Sequence, residues 1–429
     1  MKLLRSRPGL GLIMVILVSL FLLPTFIYLS WNAGNALRHS LQERRQSEAA
    51  ALASQALVDY MRQFSQDYYS GHYDAASLDR NRALYEAGFT EVSHEAYPAA
   101  HALYIEARGR YGKDPAAPLA GKKLSAAVQF ISDLTDYGTL INGGFTISAS
   151  NVTYYGKWWI TGNLSITGSN VRFAGGPLIV GGNLSVSGSN VRVDGDLYYG
   201  GSLSGSPAVD GTAYNFYPSD LVYPVIREEY YRANYAYRIA GTDRALRFDA
   251  HPSSSTFSII GTTITVPVVE SGMIVLGENV NLTVYGTVRG RVTVATTNTG
   301  GSKGRITVGQ SSAESNLLYY NPLTGGTTTS AALGSSIALI ASNGITLQGK
   351  TSTPAQDHTV CGVFFNRSSA NISASGGSTR RLSIHGTRNK PISTSGFGGG
   401  TTMTYDTGLN SNPPPGLPER PVLVTWYMR

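Results

Sequence analysis

Three passages of this chain can be laid over one another: SASNVTYYGKWWITGNL from Ser148, TGSNVRFAGGPLIVGGNL from Thr167 and SGSNVRVDGDLYYGGSL from Ser187. The Asn of each SNV is Asn151, Asn170 or Asn190, and the closing Leu is Leu164, Leu184 or Leu203, so the period is 19 to 20 residues. A fixed period near 20 carrying short apolar runs is the mark of stacked coils. Leucine-rich repeats share that period, but their L-x-x-L-x-L framework is absent. Within each repeat the apolar residues are spaced by two: Leu164 and Ile166 match Leu184 and Val186, and Val171 and Phe173 match Val191 and Val193. Each pair therefore lies on one face of a short strand and points inward, leaving Ser165, Ser185, Arg172 and Arg192 outside. Glycines punctuate the corners, where positive φ is expected, and Asn170 and Asn190 are placed to form a ladder whose side-chain amides bond to backbone groups.

Such coils explain an odd composition. Charged residues are 14% of the chain, against about 25% in ordinary soluble proteins. Disorder is excluded by 42% hydrophobic residues, and a lone cysteine, Cys361, excludes a disulfide framework or a multi-Cys metal site. A second β-rich stretch begins near Thr256 with TITVPVV, GMIVLGENVNLTVYG, TVRGRVTVATT, GRITVG and SSIALIASNGITL, and is read as continued coils with insertions or as an antiparallel sheet. Tyr217 to Arg238 is Tyr-rich, helical in part, and suits a connector. Upstream of the repeats, Pro98 to Arg110 and Lys123 to Leu134 look helical, which predicts a helical neck over residues 67–135.

The N-terminus is of another kind. From Pro8 to Leu37 no residue is charged, and Leu10 to Trp31 reads LGLIMVILVSLFLLPTFIYLSW, long enough for a bilayer-spanning helix. Lys2, Arg5 and Arg7 precede it, which keeps the short N-terminus cytoplasmic and places the bulk outside. A cleavable secretory signal is less apt, since the apolar stretch is long and has no A-x-A site. Leu41 to Phe64, LQERRQSEAAALASQALVDYMRQF, lacks Gly and Pro and places Ala53, Leu57, Met61 and Phe64 at helical spacing. The membrane helix thus continues into an amphipathic one that packs on a head, with an interruption expected at Pro24.

The leader MKLLRSRPG, the apolar helix from Leu10, Pro24 and the continuation SEAAALASQAL together resemble the type IV pilin-like proteins, in particular large minor pilins with a β-solenoid ectodomain similar to those of competence-associated DNA uptake. The resemblance covers about the first 65 residues. It implies that a prepilin peptidase cuts after Gly9 and methylates Leu10 as the new N-terminus. The glutamate usual five residues into the mature chain is replaced by Met14, which leaves open a plain anchor that never enters a filament. The closing segment NPPPGLPERPVLVTWY is similar to the C-terminal end of large bacterial pilin-like proteins.

Chemistry-bearing residues are sparse. β-Helical enzymes acting on polysaccharides use paired carboxylates, yet between Leu140 and Ser202 the acids are Asp194 and Asp196, in a VDGDL corner that suits a turn. No G-x-S-x-G elbow or phosphate-binding G-x-x-x-x-G-K-[ST] loop exists. Cys361 in HTVCGVFF reads as a buried inert thiol, and His94, Glu95 and His101 make a poor metal set. No catalytic residue, metal or cofactor is expected. Charge location says more: residues 243–429 carry fourteen basic and eight acidic groups, a net +6 within a chain of +7. Candidate polyanion-binding residues are Arg172 and Arg192, at one repeat position, with Arg289, Arg291, Arg380, Arg381, Arg388 and Lys390. On adjacent coils Arg172 and Arg192 repel unless an acid such as Asp194 or a bound anion relieves them. The aromatics Tyr154, Tyr155, Trp158, Trp159, Tyr198 and Tyr199 are equally suited to glycan stacking or to core packing.

The expected fold is mainly β with a long N-terminal α-helix: a pilin-like membrane helix carrying a β-solenoid ectodomain. The expected divisions are a leader (1–9), transmembrane and amphipathic helix (10–66), helical neck (67–135), solenoid repeats (136–215), Tyr-rich connector (216–242) and second β-rich domain (243–429). The expected function is that of a non-enzymatic minor pilin, single-pass in the bacterial inner membrane or in a pilus at the cell surface. Its expected partners are the membrane, prepilin peptidase, other pilin subunits and pilus assembly machinery, and extracellular DNA or surface glycans. An anchored β-helix carbohydrate-active enzyme and a structural envelope protein are the alternatives.

Overall fold

The computed structural model describes residues 8–70, 82–85, 88–97, 102–112, 114, 117–218, 221, 223–311, 316–350, 357–377, 380–397 and 401–428, with the side chains of residues 8–17, 21, 62–70, 82–85, 94, 96–97, 102–103, 130–131, 377, 394–396 and 420–421 outside that description. The chain is mainly β behind one long helix, and it divides into two compact units. The first comprises helix α1 (Pro8–Ser70), strands β1 (Arg82–Tyr85), β2 (Gly88–Tyr97), β3 (Ala102–Tyr111) and β4 (Ala120–Ile131), and the closing strand Arg420–Met428. The second is built from residues 131–420 and is therefore an insertion between β4 and the closing strand.

In the first unit α1 buries Ala49, Leu52, Ala53, Ala56, Leu57 and Tyr60, a stripe at spacings of three and four. Ala53 and Leu57 lie on the expected face; Met61 is half-buried, and the side chain of Phe64 lies outside the described residues. The sheet runs β1, β2, β3, β4, closing strand, with antiparallel pairing from β1 to β4. A Cβ on Gly109 would lie 2.1 Å from the carbonyl oxygen of Ala49 and 2.5 Å from the amide nitrogen of Ala53, so strand and helix meet backbone to backbone.

Beyond the end of α1 at Ser70, the described part of residues 67–135 is thus no helical neck. In place of the helices expected over Pro98 to Arg110 and Lys123 to Leu134, the described residues form strands β3 and β4, followed by a helix of four residues, Asp133–Asp136. The alanines of the two strands and Glu106 are good helix formers, but the alternation has period two. Ile105, Ala107 and Gly109 face inward, while Glu106 points out to pair with Lys123 across the strands. Small residues were selected here by the close approach of α1, and tertiary contact overrides propensity.

Helix α1 continues through Pro24 without a break in its assignment. Among the described residues no helix is long and apolar enough to cross a membrane. The span expected at Leu10 to Trp31 rests partly on residues 10–17 and 21, whose side chains are outside the described ones. Within its described part Leu22, Leu23, Phe26, Ile27, Leu29 and Trp31 are exposed.

The second unit opens with three sets of parallel strands that recur every 16 to 20 residues. Phe145–Ile147, Leu164–Ile166, Leu184–Val186 and Leu203–Ser204 form one. Val152–Tyr155, Val171–Ala174, Arg192–Val193 and Ala208–Val209 form the next. Thr139–Ile141, Trp158–Ile160, Leu178–Val180, Leu197–Tyr199 and Ala213–Tyr214 form the third set, which belongs to the large sheet that runs on through the rest of the unit. The arrangement is solenoid-like: Leu164 sits beside Leu184, and Phe173 beside Val193, in columns that bury Ile147, Leu164, Ile166, Val171 and Phe173.

Glycines take positive φ at some corners as expected, Gly156 and Gly175 both at 87°, but other left-handed positions are not glycine. The left-handed backbone at each SNV belongs to Asn151, Asn170 and Asn190, with φ of 58°, 57° and 54°, a region asparagine tolerates better than most residues. Gly188 answers instead to stacking, since a Cβ there would lie 1.9 Å from the carbonyl oxygen of Gly168.

From residue 237 onward parallel pairing continues. Met273–Glu278 pairs with Arg291–Thr297, which pairs with Ser336–Ala341, and that in turn with His358–Asn366. His358–Asn366 then pairs with Leu382–Arg388, and Leu382–Arg388 with Thr401–Thr404. Antiparallel excursions interrupt it, at Arg244–His251 with Ser254–Ile259 and at Leu317–Asn321 with Gly326–Thr328. The connector contributes one helix, Glu228–Asn234. Residues 136–420 share a single compact unit rather than separate domains, and residues 421–429 belong to the first.

Candidate functional site

The repeat position shared by Arg172 and Arg192 is the most ordered polar feature of the coil surface. The two residues are paired across adjacent strands. Arg172 Nε donates to both carboxylate oxygens of Asp194, at 3.0 and 2.9 Å. Arg192 lies 3.2 Å from Asp194 and 2.6 Å from Asp210. Four charges thus alternate as Arg172, Asp194, Arg192, Asp210, and the repulsion expected between the arginines is relieved from within the protein. The hydrogen bond from Arg172 holds the Asp194 carboxyl below its ordinary range. Asp194 and Asp196 do not work as a pair: Asp196 accepts from the backbone amide of Thr212, one coil on, at 2.9 Å.

Beside this zipper run two asparagine ladders. Asn190 donates to Asn170, and Asn170 to Asn151, each at 2.8 Å. The second ladder, which the sequence reading missed, has Asn163 accepting from the Asn183 amide and Asn183 from the Ser202 amide, both at 2.8 Å. Its signal was the repeated GNL, visible once the passages are aligned.

The remaining candidate cations do not gather into one surface. Arg289 donates to the carbonyls of His251 and Pro252, pairs with Glu270 and lies over Tyr320, with its guanidinium carbon 5.5 Å from the ring centroid. Arg291 donates to the carbonyl of Ser271 and sits near Glu419, whose carboxyl burial pushes up to about 7. Arg380 and Arg388 are each 8% exposed, so neither presents a guanidinium to a surface polyanion. Lys390 is half-buried; Arg381 is exposed and makes no ion pair among the described residues. Among the aromatics, Trp158 and Trp159 are buried, Trp159 donating to Tyr217 Oη at 2.7 Å, whereas Tyr155 is exposed. Core packing therefore claims both tryptophans. At the last coil Tyr198, Tyr214 and Phe216 form a cluster with centroids 5.0 to 5.7 Å apart, and Tyr214 and Phe216 are exposed.

Cys361 is fully buried, and burial raises its thiol well above the ordinary range, which fits an unreactive group. No group of three metal-ligating residues exists among the described residues. His101 and the His94 side chain lie outside them, as does the side chain of Leu10, which follows Gly9 in the first turn of α1.

No protein-family model matches the chain, and no curated protein is similar to it. Among solved structures the chain is similar to the competence-associated pilin ComZ from Thermus thermophilus, at 13% identity over 90% of this chain and 97% of that one, with a TM-score of 0.27.

Proposed function

We propose that the chain is a pilin-like accessory subunit, held in the bacterial inner membrane by residues 10–31 with its bulk outside the cytoplasm, whose β-solenoid head meets an extracellular ligand. The observation that carries this reading is the construction of the first unit. A basic leader opens into a helix of 63 residues, the distal part of that helix lies on an antiparallel sheet, and the last strand of the chain closes the sheet. An insertion between two strands of such a support can grow without disturbing the helix, which suits a head built of coils. Low internal charge and satisfied corner amides suit the same head to an extracytoplasmic setting without disulfides.

The ligand is reached through surfaces other than the arginine zipper. DNA is favoured less than at first by this chemistry, because Arg172 and Arg192 are neutralised by aspartates and Arg380 and Arg388 are buried. The exposed aromatic end of the first coils, at Tyr214 and Phe216, supports contact with a surface or glycan by stacking. The test of the reading is the mature N-terminus. Mass spectrometry of the native protein is expected to find a chain beginning at a methylated Leu10, and replacing Gly9 by a bulky residue is expected to leave the leader attached. An N-terminus still at Met1 in the wild type overturns it.

A further inference from the structure

Arg388 ends the strand Leu382–Arg388 beside Thr139, against the first coil of the repeats. Its guanidinium carbon lies 5.5 Å from the Trp158 ring centroid. Both side chains are more than nine-tenths buried, at 8% and 1% exposure. Among the described residues neither Arg388 Nε nor Trp158 Nε1 has a hydrogen-bond partner, although both atoms are withdrawn from solvent. Both residues line one small cavity with Tyr154, Gly386, Met403 and Tyr405. No carboxylate lines it: Asp136, nearby in sequence, is paired with Lys157 at 2.7 Å, and Asp406 accepts from the amides of Ala331 and Gly408.

A buried cation without a counter-charge is unfavourable, and an indole face offsets only part of that cost. Burial accordingly pulls the Arg388 guanidinium down to about 10. A water molecule in the cavity would accept from the two N–H groups but leave the charge uncompensated. The cavity holds about 10 Å³, room for one water-sized occupant, which excludes a phosphate diester or a sugar carboxylate. We infer that the cavity is a site for a single halide ion, accepting from Arg388 Nε and Trp158 Nε1 and neutralising the guanidinium at the edge of the first coil. Met403, an unbranched and adaptable side chain, gives the small extra room that chloride needs over water. This site does not depend on the pilin-like reading.

The experiment uses the full-length protein in detergent, with chloride and bromide as probes. Crystals grown in sodium bromide are expected to show an anomalous peak in the cavity within hydrogen-bond distance of both nitrogens. In solution the unfolding temperature is expected to rise saturably with sodium chloride relative to sodium gluconate at equal ionic strength, and this difference is expected to vanish in R388M. Bromide-free density fitted by water, or an unfolding temperature that chloride and gluconate raise alike, overturns the site. If R388M fails to fold, the bromide map of the wild-type protein decides alone.

Discussion

The two units of this molecule reach close packing by the same device and write it into the sequence in different ways. In the first, Gly109 lets β3 touch the backbone of α1 at Ala49 and Ala53, a contact made once. In the second, Gly188 lets one coil settle on the carbonyl of Gly168, and related contacts recur at each corner. A geometry repeated every coil imprints a period on the chain. A geometry used once leaves only small residues, and small residues near alanines look like a helix.

The sharpest way to break that comparison is to fill the single contact. Gly109→Val places side-chain atoms where the α1 backbone already is, and neither backbone can yield cheaply. Overpacking of this kind is expected to lower stability by about 3 kcal/mol, read from urea unfolding of the full-length protein. A loss below ~1 kcal/mol would mean that helix and sheet are not in backbone contact.

A middle-sized effect separates two reasons for asparagine at the corners of the second unit. Asn170 has a φ of 57° and makes one amide bond up the ladder and one down. Asn170→Gly keeps the backbone conformation and removes both bonds, an expected loss of about 1 kcal/mol. Asn170→Ala keeps a Cβ in left-handed backbone without the polar side chain that lets asparagine tolerate it, and is expected to cost about 1 kcal/mol more than the glycine variant. Equal losses in the two variants would assign the asparagine to its bonds alone.

What the sequence revealed follows the same division. The repeats were legible because Asn151, Asn170 and Asn190 mark equivalent corners, and the inward columns followed from alternation within each strand. The zipper was half legible: the stacking of Arg172 on Arg192 came from the period, and Asp194 was named as one of two ways to relieve it. The part played by Asp210 was missed, because it sits in a shorter last coil outside the alignment. Strands β3 and β4 were misread, since their pairing partners are set by the packing of α1 and not by any local signal. The burial of Arg388 was invisible, for its neighbour Trp158 stands 230 positions earlier and nothing in STRRLSIHGTRNK distinguishes a buried arginine from a surface one. Net charge over residues 243–429 counted it as available.

The last coil bears on end-to-end stacking of such heads. Its strands are two residues long, Ala208–Val209 and Ala213–Tyr214, and Pro207, which has no amide hydrogen, precedes the first of them. Short strands and an edge proline are devices that discourage further pairing, so this end is better suited to a ligand or to solvent than to another coil.

The smallest expected effect concerns the zipper, where surface order and stability part company. Asp194 is held below its ordinary carboxyl range by the hydrogen bond from Arg172, so its ionised form is favoured in the folded state. A carboxylate depressed in this way contributes stability that is fully present above its unfolded pKa, near 3.9, and is lost as the pH falls through the lower folded value. Asp194→Asn is therefore expected to lower the unfolding temperature by no more than ~2 °C at neutral pH, since exposed ion pairs contribute little. The difference from wild type is expected to stay flat from pH 8 to 5, to shrink below about pH 4, and to shrink also in high salt. A difference that survives acid and salt would mean that Asp194 acts by shape, as the corner asparagines do. If the temperature is unchanged but the variant gains salt-sensitive retention on immobilised DNA, the zipper's work is to mask two stacked arginines from polyanions rather than to hold the coils together.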